Sequence, residues 1–112
     1  MNVPFEIDVR EAASGDIVIV KLSGEFDLAG VNLFTETVIS GLSQDSYKEM
    51  IFDLSGLDFL DSSGLNGLIR AMKEAATRGA RFSVYKPSGS VSRLFDLVRA
   101  TDFLEIRDDL PD

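Results

Sequence analysis

Apolar and polar positions alternate at the start of the chain: Phe5, Ile7 and Val9 are separated by Glu6, Asp8 and Arg10. A period of two predicts a half-buried strand over Phe5–Arg10. Ser14-Gly15-Asp16 supplies a turn, and the β-branched run Ile17–Leu22 predicts a second strand, paired with the first as a hairpin. Gly24-Glu25-Phe26-Asp27 reads as a loop. Asp27 is a candidate N-cap for a helix whose stripe is Val31, Phe34, Val38 and Leu42, a helix that Gly30 and Gly41 weaken. Met50–Leu54 holds consecutive apolar residues, as in a central strand buried on both faces. Leu65, Leu68, Ile69, Met72 and Ala76 fall on one helical face, with Gly79 suited to the C′ position. Arg81–Tyr85 reads as a fourth strand and Pro87 as the turn after it. Val91, Leu94, Phe95 and Val98 form a third helical stripe, Phe103–Ile106 a last short strand, and Asp108–Asp112 a frayed tail.

The order is ββαβαβα with a final β. It predicts an α/β fold: a mixed sheet of about five strands with an N-terminal antiparallel hairpin, Met50–Leu54 at its centre and three main helices. The length of 112 residues fits one domain over 1–112, with an ordered core at about 5–106. Leu, Ile, Val and Phe make up about a third of the chain, well above the roughly 20% below which disorder is expected.

Charge and missing residue types narrow the chemistry. The formal charge of −8 opposes nonspecific attraction to nucleic acid or anionic lipid. No apolar run approaches the ~20 residues of a membrane span. Met1–Arg10 carries Glu6 and Asp8 and no cationic n-region, so a secretory signal is not expected and the cytoplasm is. Cysteine is absent, which suits a reducing compartment. Histidine is absent too, which excludes His-based metal sites, Ser-His-Asp and Cys-His catalysis and a phosphohistidine carrier. Neither a metal nor a cofactor is expected.

The stretch from Phe52 to Leu65 concentrates the candidate chemistry. A buried strand ends at Leu54, a short loop follows, and a helix starts near Ser63. Asp61 or Ser62 can accept hydrogen bonds from the free N–H groups of the first turn. Partial positive charge at a helix N-terminus stabilises an anion there, so a serine at this point is well placed to carry phosphate. Gly64 and Gly67 leave the first turns with little side-chain cover, which would let another protein approach. The plain alternative for Asp-Ser-Ser-Gly is a capped helix start and nothing else.

Asp53-Leu54-Ser55-Gly56-Leu57-Asp58-Phe59-Leu60-Asp61-Ser62-Ser63-Gly64-Leu65 resembles the signature of STAS domains, specifically bacterial anti-sigma factor antagonists. Val20 to Asp27 resembles the family's strand ending in Gly-Glu-Leu-Asp, with Phe26 in place of Leu, and Val91 to Leu97 resembles its last main helix. The resemblance runs from about Phe5 to Ile106. It implies a protein that is itself no enzyme. An anti-sigma factor that is also a serine kinase of the ATPase-fold type would bind it unphosphorylated, freeing a sigma factor. Phosphorylation of Ser63 would release it and a serine phosphatase would reset it. Asp61, Ser62, Gly64 and Asp27 would shape the site; Asp27, Leu28, Ser62, Ser63, Gly64, Asn66 and Gly67 would meet the partner, with Ser88–Ser92 a weaker addition. No contact with nucleic acid or membrane is implied.

Three other readings are distinguishable. A receiver domain would use Asp53 and Lys86, but needs an acidic pair after its first strand, and Glu25 and Asp27 are not adjacent. A serine hydrolase would need a lysine beside Ser63; Lys73 lies ten residues along the same helix, ~15 Å away. A non-phosphorylated STAS accessory subunit of a transport complex would not need Ser63 with Asp61 and Asp27.

Overall fold

A computed structural model describes residues 4–112, so the first three positions of the Met1–Arg10 segment lie outside it. Five strands form one sheet in the order β1-β2-β3-β4-β5: Glu6–Glu11, Ile17–Phe26, Glu49–Leu60, Arg81–Tyr85 and Glu105–Arg107. β1 and β2 pair antiparallel with Val9 opposite Val20, and β2, β3, β4 and β5 run parallel. The predicted mixed sheet with its hairpin and central third strand is therefore observed.

Because each parallel crossover steps in the same direction, right-handed connections carry every helix to one face. That face holds the main core. Val20, Leu22, Met50, Phe52, Leu54 and Val84 meet Phe34, Val38, Leu68, Ala71, Val91 and Phe95 from the helices. A row of phenylalanines crosses it, with centroids 4.4 Å apart for Phe5–Phe26, 4.9 Å for Phe26–Phe34, 5.7 Å for Phe34–Phe52 and 5.2 Å for Phe52–Phe82. α2 spans Ser62–Thr77 and α3 spans Gly89–Leu97. Gly79, at φ +73°, follows α2 as expected.

Four expectations are corrected. The first helix is not regular: a 3₁₀ turn at Leu28–Gly30, an α-turn at Val31–Phe34 (α1) and a π-turn at Thr35–Ser40 run on from one another. The β-branched residues Val31, Thr35, Thr37, Val38 and Ile39 crowd a tight helix and lower its propensity. Gly24–Phe26 continues β2, and the segment after Leu54 continues β3 to Leu60. At Gly56 a Cβ would lie 2.9 Å from Ser23 Oγ, so glycine lets two strands approach. The last strand is Glu105–Arg107 and not Phe103–Ile106, because Leu104 turns into the core.

The tail is the fourth correction. Leu110 packs on Ala12, Ile19 and Ile51 on the helix-free face, and the Asp112 carbonyl accepts from the Ala13 amide. Nearby, Arg107 pairs with nearly buried Glu49 at 2.8 Å, and Ser83 Oγ donates to the same carboxylate at 3.4 Å.

Candidate functional site

β2 and β3 carry the site to one end of the sheet. Their register shifts between Lys21 and Ser23 and again between Gly24 and Glu25, where β3 has an extra residue each time. Such bulges bend a strand and free backbone groups. Asp53 Oδ1 takes the Ser55 amide at 3.0 Å at the first bulge, so Asp53 lies within the strand and not at its end. At the second, the Asp58 carbonyl accepts from Ser90 Oγ at 2.8 Å. This bond draws the start of α3 against the distal half of β3, which is where the Ser88–Ser92 segment enters the site's surroundings.

Phe26 pairs with Leu60, and the Asp61 amide donates to the Phe26 carbonyl at 3.3 Å. The next residue of each strand is therefore an aspartate, and each aspartate starts a helical segment. Asp27 Oδ1 accepts from the Ala29 amide at 3.0 Å, and Asp61 Oδ1 accepts from the Gly64 amide at 3.0 Å. Asp61 is the N-cap of α2, in extended conformation, and Ser62 is the first helical residue. Of the two capping candidates, the carboxylate holds the role and the Ser62 side chain does not.

The two serines differ in setting. Ser62 is exposed and Ser63 half-buried. At the first two helical positions neither amide has an acceptor within its own helix, so a negative group here meets free donors and the positive end of the helix dipole. Leu28 is 73% exposed, Asn66 is exposed, and Asp27 and Gly67 are half-buried. Beside Asp27 lies a cavity of about 270 Å³ bordered by Phe5, Glu25, Gly30 and Leu33.

The glycines also have a packing role within the fold. Gly64 is buried, and a Cβ on it would lie 2.5 Å from both the Phe26 carbonyl oxygen and Leu60 Cδ1. A Cβ on Gly67 would lie 3.0 Å from Phe26 Cζ. Both admit the end of β2 against the start of α2. Phe59, 42% exposed and opposite Glu25, is the residue that sequence reasoning left unremarked. Its signal was the Leu57-Asp58-Phe59-Leu60 pattern, which a strand extended past Leu54 makes intelligible.

Comparisons with known proteins identify the family of this fold. The STAS domain family model matches residues 8–112. An anti-sigma F factor antagonist of Lysinibacillus sphaericus is 27% identical over 85 residues, 76% of this chain and 73% of that protein. The crystal structure of an anti-sigma factor antagonist from Mycobacterium paratuberculosis superposes with a TM-score of 0.82 at 20% identity, covering 96% of this chain and 88% of that one. The phosphorylated form of the Bacillus cell-fate determinant SpoIIAA superposes with a TM-score of 0.69 at 20% identity, covering 95% and 93%. With its parallel β2–β3 pair, its Asp-capped α2 and a family match over nearly its whole length, the chain belongs to the STAS domain family.

Proposed function

We propose that this STAS domain is an anti-sigma factor antagonist switched by phosphorylation of Ser63. In its unmodified state it binds an anti-sigma factor that is also a serine kinase of the ATPase-fold type, which frees a sigma factor in the cytoplasm. The kinase phosphorylates Ser63, the complex breaks, and a serine phosphatase restores the unmodified chain. The domain is a substrate and a binding module, not a catalyst.

The observation that carries this reading is the position of Ser63: second residue of an Asp61-capped helix, at the strand end shared with the Asp27 turn. The assignment to Ser63 over the more exposed Ser62 rests on its place in the family motif. A phosphoserine adds about −1.5 to −2 charge at pH 7. The helix N-terminus tolerates that charge, so the fold persists. A partner surface fitted to a small neutral hydroxyl, with Asp61 beside it, must instead desolvate a hydrated anion. Each 1.4 kcal/mol so lost weakens binding about tenfold. Release is then local repulsion without a large conformational change.

Incubation with ATP and each serine-kinase anti-sigma factor of the same genome, followed by mass spectrometry, tests this. Phosphate on Ser63 is expected. Ser63→Ala stays bound to the partner, and Ser63→Asp binds at least about tenfold more weakly with an unchanged melting transition. Ser62→Ala remains a substrate. Phosphate on Ser62 alone, or none on the unaltered chain with any of these kinases, overturns the assignment.

A further inference from the structure

β5 is an edge strand of three residues, Glu105-Ile106-Arg107. Open edges offer backbone N–H and C=O groups to another strand. The segment leading into β5 exposes large apolar side chains, Leu97 at 81%, Val98 at 40% and Phe103 at 47%, and Ile106 on the strand itself is 42% exposed. Ile106 pairs with Val84, a residue of the helix-face core, so it projects to the helix side of the edge. α3 and the 3₁₀ turn Ala100–Asp102 form the crossover into β5, which puts Leu97, Val98 and Phe103 on that same side. Glu105 and Arg107 project to the helix-free side. There Glu105 pairs with Arg81 at 2.9 Å and Arg107 with Glu49 at 2.8 Å.

The edge therefore reads acid, aliphatic, base, which is self-complementary when read backwards. We propose that two copies of this chain associate through β5, antiparallel about a twofold axis at Ile106, joining their sheets into one. Ile106 then meets Ile106 of the partner subunit, and Glu105 meets the partner's Arg107. The existing ion pairs extend as Glu49, Arg107, the partner's Glu105 and the partner's Arg81, with Asp109 also 3.5 Å from Arg107 on its own chain. Cross-strand pairs of opposite charge and of aliphatic residues are the stabilising kind in antiparallel sheets. The contact is isologous and closes at two copies. A three-residue edge forms few hydrogen bonds, so the dimer is weak and reversible. β4 lies between β5 and β3, which leaves the Asp27 and Asp61 turns outside the contact.

The chain contains no cysteine, so a single introduced thiol is a clean reporter. Directly opposed residues of an antiparallel pair have Cα atoms ~4.5–5.5 Å apart, within the range a disulfide spans. Ile106→Cys is expected to oxidise to an intermolecular disulfide at least about tenfold faster than Val9→Cys, a comparably exposed position on the opposite edge. Sedimentation of the unaltered chain between about 10 µM and about 1 mM should show monomer passing to dimer. Glu105→Lys, which sets a second cation against the partner's Arg107, should shift that equilibrium to monomer. A chain monomeric throughout, a dimer unaffected by Glu105→Lys, or a dimer that links Val9→Cys as readily as Ile106→Cys overturns the proposal.

Discussion

A Cβ on Gly64 would press on a backbone oxygen, Phe26 O at 2.5 Å, which cannot swing aside as a side chain can. Ala at this position must push the end of β2 away from the start of α2. Gly64→Ala is expected to cost about 1–3 kcal/mol by overpacking, read from urea unfolding. Asn66→Ala, two residues on and exposed, should stay within about 0.5 kcal/mol. If Gly64→Ala proves neutral, the close approach of β2 and α2 is not what requires glycine here. At this scale a cap at Asp61 or Ser62 was legible in the sequence, because capping acts over three residues, and the structure decided for Asp61. The reason for Gly64 was not, because its neighbours Phe26 and Leu60 come from two other elements.

The first helical segment and α2 both begin at a capping aspartate, yet they are unequal elements. α2 is a regular amphipathic helix of 16 residues, while the segment from Leu28 to Ser40 passes through three helix types. Asp27 caps only a 3₁₀ turn of three residues. Losing an N-cap typically costs ~1 kcal/mol, tolerable against a total stability of about 5–15 kcal/mol. Asp27→Ala should therefore fold, with a melting temperature lowered by only several degrees, while phosphorylation by the cognate kinase falls at least about tenfold. A folded Asp27→Ala chain phosphorylated at the normal rate would reduce Asp27 to a cap. The 3.6-residue stripe of α2 was plain in the sequence; the irregular segment was legible only as Asp27 followed by an apolar stripe.

Across the whole molecule, one-sided placement of the helices leaves the second sheet face to short-range cover. Ile19 and Ile51 are 1% and 0% exposed there, and the cover includes Leu110 from the C-terminal segment. Leu110→Ala should cost about 1 kcal/mol for this partly buried side chain, lowering the melting temperature by about 4 °C. Arg107→Ala should cost more, about 3 kcal/mol, because nearly buried Glu49 then loses its cation. Adding Glu49→Gln to Arg107→Ala should recover part of that loss. Equal effects of Arg107→Ala with and without Glu49→Gln would show that the pair is not coupled.

The sequence by itself determined the element order, the hairpin, the central third strand and the capped helix start at Asp61-Ser62-Ser63. Each of these follows from periodicity or capping among near neighbours. Only the tertiary structure decided that β2 and β3 run on to Phe26 and Leu60, since extended pairing past Gly24 and Gly56 depends on the strand alongside. That extension, with its two bulges, is what brings Asp27 to the same end of the sheet as Asp61 and Ser63. It also gives Ser90 the Asp58 carbonyl. The docking of Leu110 was equally hidden, because a polar tail with one leucine reveals its partner only when Ile19 and Ile51 lie side by side on a face that no helix covers.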